Sequence, residues 1–397
     1  MSDLHSLLET HVGAGSLAGA VALVAHGDEV EVAAVGSLDP AGTAPVARDS
    51  LFRVASVTKP VTAAATMMLV EDGLLALDVP VARWLPELAE PKVVRTPSAP
   101  LDDVVPADRP ITVADLLTFR AGYGFPADFS LPAVAPLFAE LKQGPPRPRD
   151  VAEPDAWMTA LGRIPLLHQP GEAWLYNTCS DILGVLIARA SGQPFQDVLA
   201  ERVFAPLGMR DTAFAVPPAQ LHRFTSYYRA APDGAAPELV DAPDGQWSTL
   251  PAFPSGAGGL VSTADDLHAF YRMLLAGGAY GGGRLLSADS VRQMTTDHLT
   301  APQRAAGDLF LEGQGWGFGG SVDVDRLDPW NVPGRYGWIG GTGTAAHIVP
   351  ATGTVTLLLT QRELSGPSAP EVMREFWTYA ATRPAPQYSN RGGKPSS

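Results

Sequence analysis

The sequence predicts an α/β (α+β) fold: one antiparallel sheet built from both chain ends, flanked by helices, with a mainly helical region inserted between them. Three observations lead there. Val-rich extended runs lie near the start of the chain and return after Gly315. Helical periodicity fills the stretch between, so the economical arrangement is one sheet shared by the two ends. The 397 residues are 46% hydrophobic and 18% charged, which supports a large core and argues against global disorder. The expected division is a sheet domain from 1–60 and 250–385, a mainly helical domain over 61–249, and a flexible tail at 386–397.

Leu4–Val12 has the apolar spacing of a short amphipathic helix. Ala18–Ala25 and Glu29–Val35 flank His26-Gly27-Asp28, a hairpin signal. Leu51–Ala55 is a short extended run. Ser56–Asp72 then reads as a helix that is apolar nearly all round, with Gly73 as its stop. Residues 90–110 and 126–154 are rich in Pro and Ala and read as loops, with a short helix at Ile111–Phe119 between them. Cys179–Ser191 and Phe195–Phe204 are helical, parted by Gly192 and Pro194. Residues 216–255 are loop-rich. Thr263–Leu275 reads as a helix capped by Ser262 or Thr263, with Asp265 and Asp266 in its first turn. Gly315–Asp325, Arg335–Ile339, Thr344–Val349 and Thr354–Thr360 are strand-type, and Pro367–Ala381 is a last amphipathic helix.

Charge and cysteine content exclude several classes. Lys+Arg 28 against Asp+Glu 42 gives a formal net charge of −14. That opposes a general nucleic-acid or anionic-membrane binder, since both partners are polyanions. Cys179 is the single cysteine, so no intramolecular disulfide or Cys-rich zinc site is expected. The eight histidines show no metal-ligand spacing, and no metal or organic cofactor is expected. The first residues lack a basic n-region and an apolar h-region, and no run reaches ~18 apolar residues. A cytoplasmic protein without a membrane partner is the expectation.

Only four lysines occur, at 59, 92, 142 and 394. Ser56-Val57-Thr58-Lys59 is an S-x-x-K at the start of the apolar helix. On a helix, i and i+3 share a face, so Ser56 Oγ and Lys59 Nζ are neighbours. A serine hydroxyl needs a base, and a lysine in apolar company has a lowered pKa that suits it to that role. With serine at roughly 7% of residues, four lysines give about one chance in four of an accidental match. The apolar setting of Lys59 is therefore the stronger signal. Tyr176, in Trp174-Leu175-Tyr176-Asn177-Thr178 ahead of a helix, reads either as a packed aromatic or as a proton relay driven toward phenolate by a facing ammonium. Tyr336 to Thr344 carries four glycines entering a strand, either a plain turn or an edge that offers an N–H to a substrate carbonyl. No G-x-S-x-G elbow, P-loop or H-E-x-x-H is present. Gly13 to Ala18 fits a loose dinucleotide pattern in the wrong context, helix before strand, and reads as a turn.

Taken together, these segments resemble the serine β-lactamase and penicillin-binding-protein superfamily, and most closely class C β-lactamases and family VIII carboxylesterases. The resemblance runs from about Leu17 to Arg362. Its anchors are Leu51 to Pro60, Ile111 to Thr118, Gln169 to Tyr176, Phe204 to Phe214 and Gly256 to Thr263. It implies a β-lactamase/transpeptidase-like fold, a nucleophile Ser56, an activating Lys59 and a partner acid/base Tyr176. It also implies an oxyanion hole from the backbone N–H groups of Ser56 and Gly341. The chain departs from class C twice. Tyr176-Asn177-Thr178 places its amide one position early, and Trp338-Ile339-Gly340 puts an indole where class C has a lysine. A tryptophan there resembles the family VIII pattern and suits neutral esters, because it supplies no cation for a β-lactam carboxylate.

The expected function is hydrolysis of small carboxylic esters, with short acyl chains, through a Ser56 acyl-enzyme. Trp338, Asn177, Tyr123, Phe125 and Trp316 are the expected substrate contacts. Alternatives on the same scaffold are a β-lactamase, a D-amino-acid amidase or peptidase, and an acyltransferase. A silent ligand-binding or sensor protein is the alternative from another class.

Overall fold

The computed structural model describes residues 3–231 and 237–382, so the tail expected at 386–397 lies outside the described residues. Helix α1 (Asp3–Gly13) leads into the hairpin β1 (Gly19–His26) and β2 (Glu29–Gly36). Strand β3 (Phe52–Arg53) and a 3-10 turn at Ala55–Val57 precede α2 (Thr58–Glu71). Next come α3 (Val113–Leu117), α4 (Pro154–Leu161) and α5 (Thr178–Ser191). Strand β4 (Val261–Ser262) pairs with β3 and runs into α6 (Ala264–Leu275). The chain ends with β5 (Gly315–Trp316), β6 (Ser321–Val322), β7 (Tyr336–Gly340), β8 (Thr344–Val349), β9 (Thr354–Thr360) and α7 (Glu371–Thr382).

Among the described residues, one seven-stranded sheet runs in the order β5-β6-β7-β8-β9-β1-β2. Every pairing in it is antiparallel. The two chain ends meet in its middle, where β1 pairs with β9 from Ala20↔Thr360 to His26↔Thr354. Side chains alternate along β1, as a pleated strand requires. Ala20, Ala22 and Val24 face α1 and α7, packing with Leu4, Leu8, Met373 and Phe376. Val21, Leu23 and Ala25 face the main core with α2 and α6. Both faces are covered, so β1 is a near-continuous apolar run, while β9 adds the buried Thr354, Thr356 and Thr360 to Val355, Leu357, Leu358 and Leu359.

Caps explain several boundaries. Thr112 and Asp115 form a capping box at α3, and Thr263 Oγ1 accepts from the Asp266 N–H at α6. Gly192, at φ +71°, ends α5 in the left-handed region. The structure departs from expectation where composition misled. The 90–110 and 216–255 stretches contain the short hairpins Lys92–Val94 with Val104–Pro106, and Tyr227–Arg229 with Glu238–Asp241. A one-turn helix, Ala135–Ala139, interrupts the expected loop at 126–154. The Phe195–Phe204 helix holds through Leu199 and then widens into a π-type turn over Ala200–Phe204. Short helices at Ala288–Met294, Ala301–Ala306 and Asp308–Leu311 fill a stretch with no clear periodicity. Among the described residues, no helix is long and apolar enough to cross a membrane.

Candidate active site

Ser56 does not stand in the helix proper, as the sequence predicts, but in the 3-10 turn ahead of it. Ala55, at φ +43°, bends the backbone into the left-handed region immediately before the serine. Behind that turn, every residue of α2 from Thr58 to Leu69 is buried. Lys59, in the first turn, is fully buried. It enters the core because its ammonium has three acceptors waiting.

Those acceptors define the site. Lys59 Nζ donates to Ser56 Oγ at 2.8 Å, to Asn177 Oδ1 at 2.8 Å and to the Ala257 carbonyl at 2.7 Å. Tyr176 OH donates to Ser56 Oγ at 2.9 Å. Trp338 Nε1 in turn donates to the Tyr176 oxygen at 2.7 Å. Asn177 takes its place through a three-residue turn. Its φ of +83° and ψ of −66°, with the Thr178 N–H donating to the Tyr176 carbonyl at 3.3 Å, are the strained γ-turn geometry. That turn points the amide oxygen at Lys59, a contact the sequence reading did not include.

Desolvation pushes the Lys59 pKa down to about 7, opposed by the negative charge of Asp181. The apolar surroundings push Tyr176 up to about 12, although its hydrogen bonds to Ser56 and Trp338 act in the other direction. Tyr176 is therefore a phenol at neutral pH and not the phenolate that a facing ammonium alone would favour. Lys59 is the group whose neutral form is accessible near pH 7.

The β7–β8 turn is fastened to the serine segment. Thr342 Oγ1 donates to the Arg53 carbonyl at 2.6 Å, and Thr344 Oγ1 to the Val54 carbonyl at 2.9 Å. Gly340 has no room for a side chain, because a Cβ would overlap the Val54 carbonyl oxygen and Thr344 Oγ1. The glycine there permits the close approach. Gly341 follows and borders the same cavity as Ser56.

That cavity holds about 360 Å³. Phe125 and Trp338 line it, as expected, together with Tyr176 and Asn177. Tyr123 and Trp316 do not. Tyr123 is buried with its hydroxyl 3.5 Å from the Leu161 carbonyl, and Trp316 is buried edge-on to Trp338, ring centroids 4.8 Å apart. They support the wall from behind. Sequence reasoning missed Phe129, Phe138 and Phe310, which join Phe125 in one aromatic wall. Two of these sit in or beside the 126–154 stretch and one in a segment without periodicity, so no pattern marked them. It also missed Asp181, an acid in a first helical turn, where helix-start charge is the ordinary reading. Among the described residues, no group of three or more His, Cys, Asp and Glu side chains is placed to hold a metal.

Residues 4–375 match the Beta-lactamase family. The chain belongs to that family. Relatives of known name fit the same superfamily of serine β-lactamases and penicillin-binding proteins. Protein Rv1367c of Mycobacterium tuberculosis (strain ATCC 25618 / H37Rv) is 39% identical over 358 residues, covering 88% of this chain and 86% of that one. Esterase EstB of Burkholderia gladioli is 33% identical over 377 residues, covering 89% and 88%. Among solved structures, EstCE1, a hydrolase with promiscuous acyltransferase activity, superposes with a TM-score of 0.75 at 25% identity, covering 94% of this chain and 97% of that one. This Beta-lactamase family member thus shares its mixed α/β fold with esterases, and its large antiparallel sheet is the fold of that superfamily.

Proposed function

We propose that this Beta-lactamase family member is a serine carboxylesterase that cleaves small neutral esters, with short acyl groups, through a Ser56 acyl-enzyme. The observation that carries the reading is the double hydrogen bond at Ser56 Oγ, from Lys59 Nζ and from Tyr176 OH, beside an apolar cavity. The neutral Lys59 amine takes the Ser56 proton as Oγ attacks the ester carbonyl carbon. The backbone N–H groups of Ser56 and Gly341 hold the oxyanion. As the C–O bond to the alcohol breaks, Tyr176 gives its proton to the departing alkoxide, and the Lys59 ammonium restores it. The products of this half-reaction are an acyl-Ser56 ester and a free alcohol. Water then attacks the acyl carbon by the reverse proton route and releases the acid. No step calls for a cofactor.

Trp338 supports esters over β-lactams. Its indole occupies the third-motif position, and the cations bordering the cavity, Lys142 and Arg147, are exposed residues of the 142–147 segment instead. The test is turnover of short p-nitrophenyl esters and of nitrocefin by one preparation, with Ser56→Ala alongside. Ester turnover lost in Ser56→Ala is the expected result. Full turnover in that variant would sink the proposal, and nitrocefin turnover matching ester turnover would replace the ester by a lactam.

A further inference from the structure

Asp181 is a buried carboxylate that the acyl-transfer scheme leaves unused. It lies in the first turn of α5, buried at the border of the same cavity as Ser56. Among the described residues, no cation bonds to it directly. Three neutral donors do: Ser255 Oγ at 2.6 Å, the Ala257 N–H at 3.1 Å and Gln143 Nε2 at 3.2 Å. Burial raises the pKa of Asp181, while these three donors and the charge of Lys59 favour its anion, because a protonated oxygen would face a donor. A buried anion without an ion pair is costly and needs a compensating charge nearby.

The compensating charge is Lys59, reached through one residue. Asp181 accepts from the N–H of Ala257, and the carbonyl of Ala257 accepts from Lys59 Nζ. Ser255 Oγ, fixed by Asp181, accepts in addition from the Ala257 and Gly258 N–H groups. The 255–258 turn is thus tied to α5 at one end and presents a carbonyl to Lys59 at the other. Gly256 must be glycine for this, since a Cβ would overlap the Ser180 carbonyl oxygen. Gln143 extends the network, with its Oε1 accepting from Thr178 Oγ1 at 2.6 Å.

We propose that Asp181 is a positioning residue for Lys59. Its carboxylate fixes the turn whose carbonyl receives the ammonium, and its charge governs when Lys59 releases a proton. The proposal rests on Lys59 acting as the base for Ser56. The groups facing Lys59 are few. Ser56 and Tyr176 border it on the cavity side, the neutral Asn177 amide and Ala257 carbonyl complete its contacts, and Asp181 is the charged one. Asp181 itself is faced by Gln143, Ser255 and Lys59. The sign follows. An anion nearby favours the ammonium, so removing it lets Lys59 become neutral at lower pH.

The test is the rate at which a fluorophosphonate probe labels Ser56 across pH 5 to 9, in the native chain and in Asp181→Asn. The asparagine keeps an acceptor for Ser255 and Ala257 and loses the charge. The acidic midpoint should fall by about one unit. Asp181→Ser carries the same reading if Asp181→Asn does not fold. Ser255→Ala keeps the charge and loosens the turn, so it should lower the plateau about tenfold at an unmoved midpoint. An unmoved midpoint in a folded, neutral Asp181 variant would overturn the charge role, and an unchanged plateau in Ser255→Ala would overturn the role of the turn. Labelling that persists in Ser56→Ala would instead overturn the acyl-enzyme reading, whatever Asp181 does.

Discussion

The indole Nε1 of Trp338 donates a 2.7 Å hydrogen bond to the hydroxyl oxygen of Tyr176. The tryptophan therefore does more than omit a cation. In the proposed acyl transfer, charge builds on the Tyr176 oxygen as its proton leaves, and a donor already aimed there stabilises that charge without reorganisation.

Trp338→Phe keeps an aromatic face against Trp316 and removes this donor. A hydrogen bond to a developing charge contributes about 1.5–3 kcal/mol, so kcat for ester cleavage should fall roughly ten- to hundred-fold. KM should change little. Steady-state kinetics on a short p-nitrophenyl ester checks both, and an unchanged kcat would remove the indole from the proton route.

If Lys59 acts as the neutral amine of the proposed mechanism, activity should rise with pH through a midpoint near 7, the value to which burial lowers it. Below that, the ammonium donates to Ser56 and has no lone pair to accept its proton. The pH profile of kcat/KM reports this limb in the free enzyme.

Lys59→Met tests the base and the buried charge together. The methionine fills similar space in a fully buried position, but it leaves the Asp181 carboxylate without its compensating charge and strands the acceptors around Nζ. Thermal denaturation should show a lower Tm, and acylation should fall by about 10²–10⁴-fold. An unchanged or higher Tm would mean that Asp181 does not depend on the charge of Lys59.

Gly340→Ala should push β7 away from the serine segment, because the new Cβ has the Val54 carbonyl and Thr344 Oγ1 in its path. A displacement of about 1 Å at an oxyanion donor costs on the order of a hundred-fold in rate. Native circular dichroism with greatly reduced fluorophosphonate labelling is the expected pairing.

Arg53 lies three residues before Ser56, buried, bonded to Asp241 at 2.5 Å and to the Thr225 and Ala242 carbonyls. Arg53→Ala strands the Asp241 carboxylate and should cost about 3–5 kcal/mol by denaturant unfolding. The double variant Arg53→Met/Asp241→Leu should recover most of that loss.

Much of the sheet was legible in the sequence because its central strands, buried on both faces, are rich in Val, Leu and Ala with β-branched threonine between. The helix behind Ser56 was legible for the same reason, since apolar residues surround it entirely. The meeting of Ser56, Lys59 and Tyr176 was legible through an i, i+3 spacing and a family resemblance. The turn that holds Ser56 was not, because a left-handed Ala55 is imposed by tertiary contacts that no local propensity records. Asn177 was expected at the substrate because its side chain suits that task, and it does border the cavity; its contact with Lys59 was not legible, because a backbone turn aims it there. Tyr123 and Trp316 were placed in the cavity because aromatics near a motif look alike whether they face it or back it. The phenylalanine wall and Asp181 depend on long-range packing that periodicity does not report.

The joining of β1 to β9 has a consequence for the order of events during synthesis. Ser56 and Lys59 emerge from the ribosome early, but Thr342, which ties the β7–β8 turn to Arg53, lies 289 residues after Arg53. Until the final strands are made, the nascent chain carries Ser56 without the turn that closes around it. Such distant pairings close slowly, since a long loop must form before its contacts repay the lost entropy. Maturation of the reactive centre is therefore timed by completion of the chain.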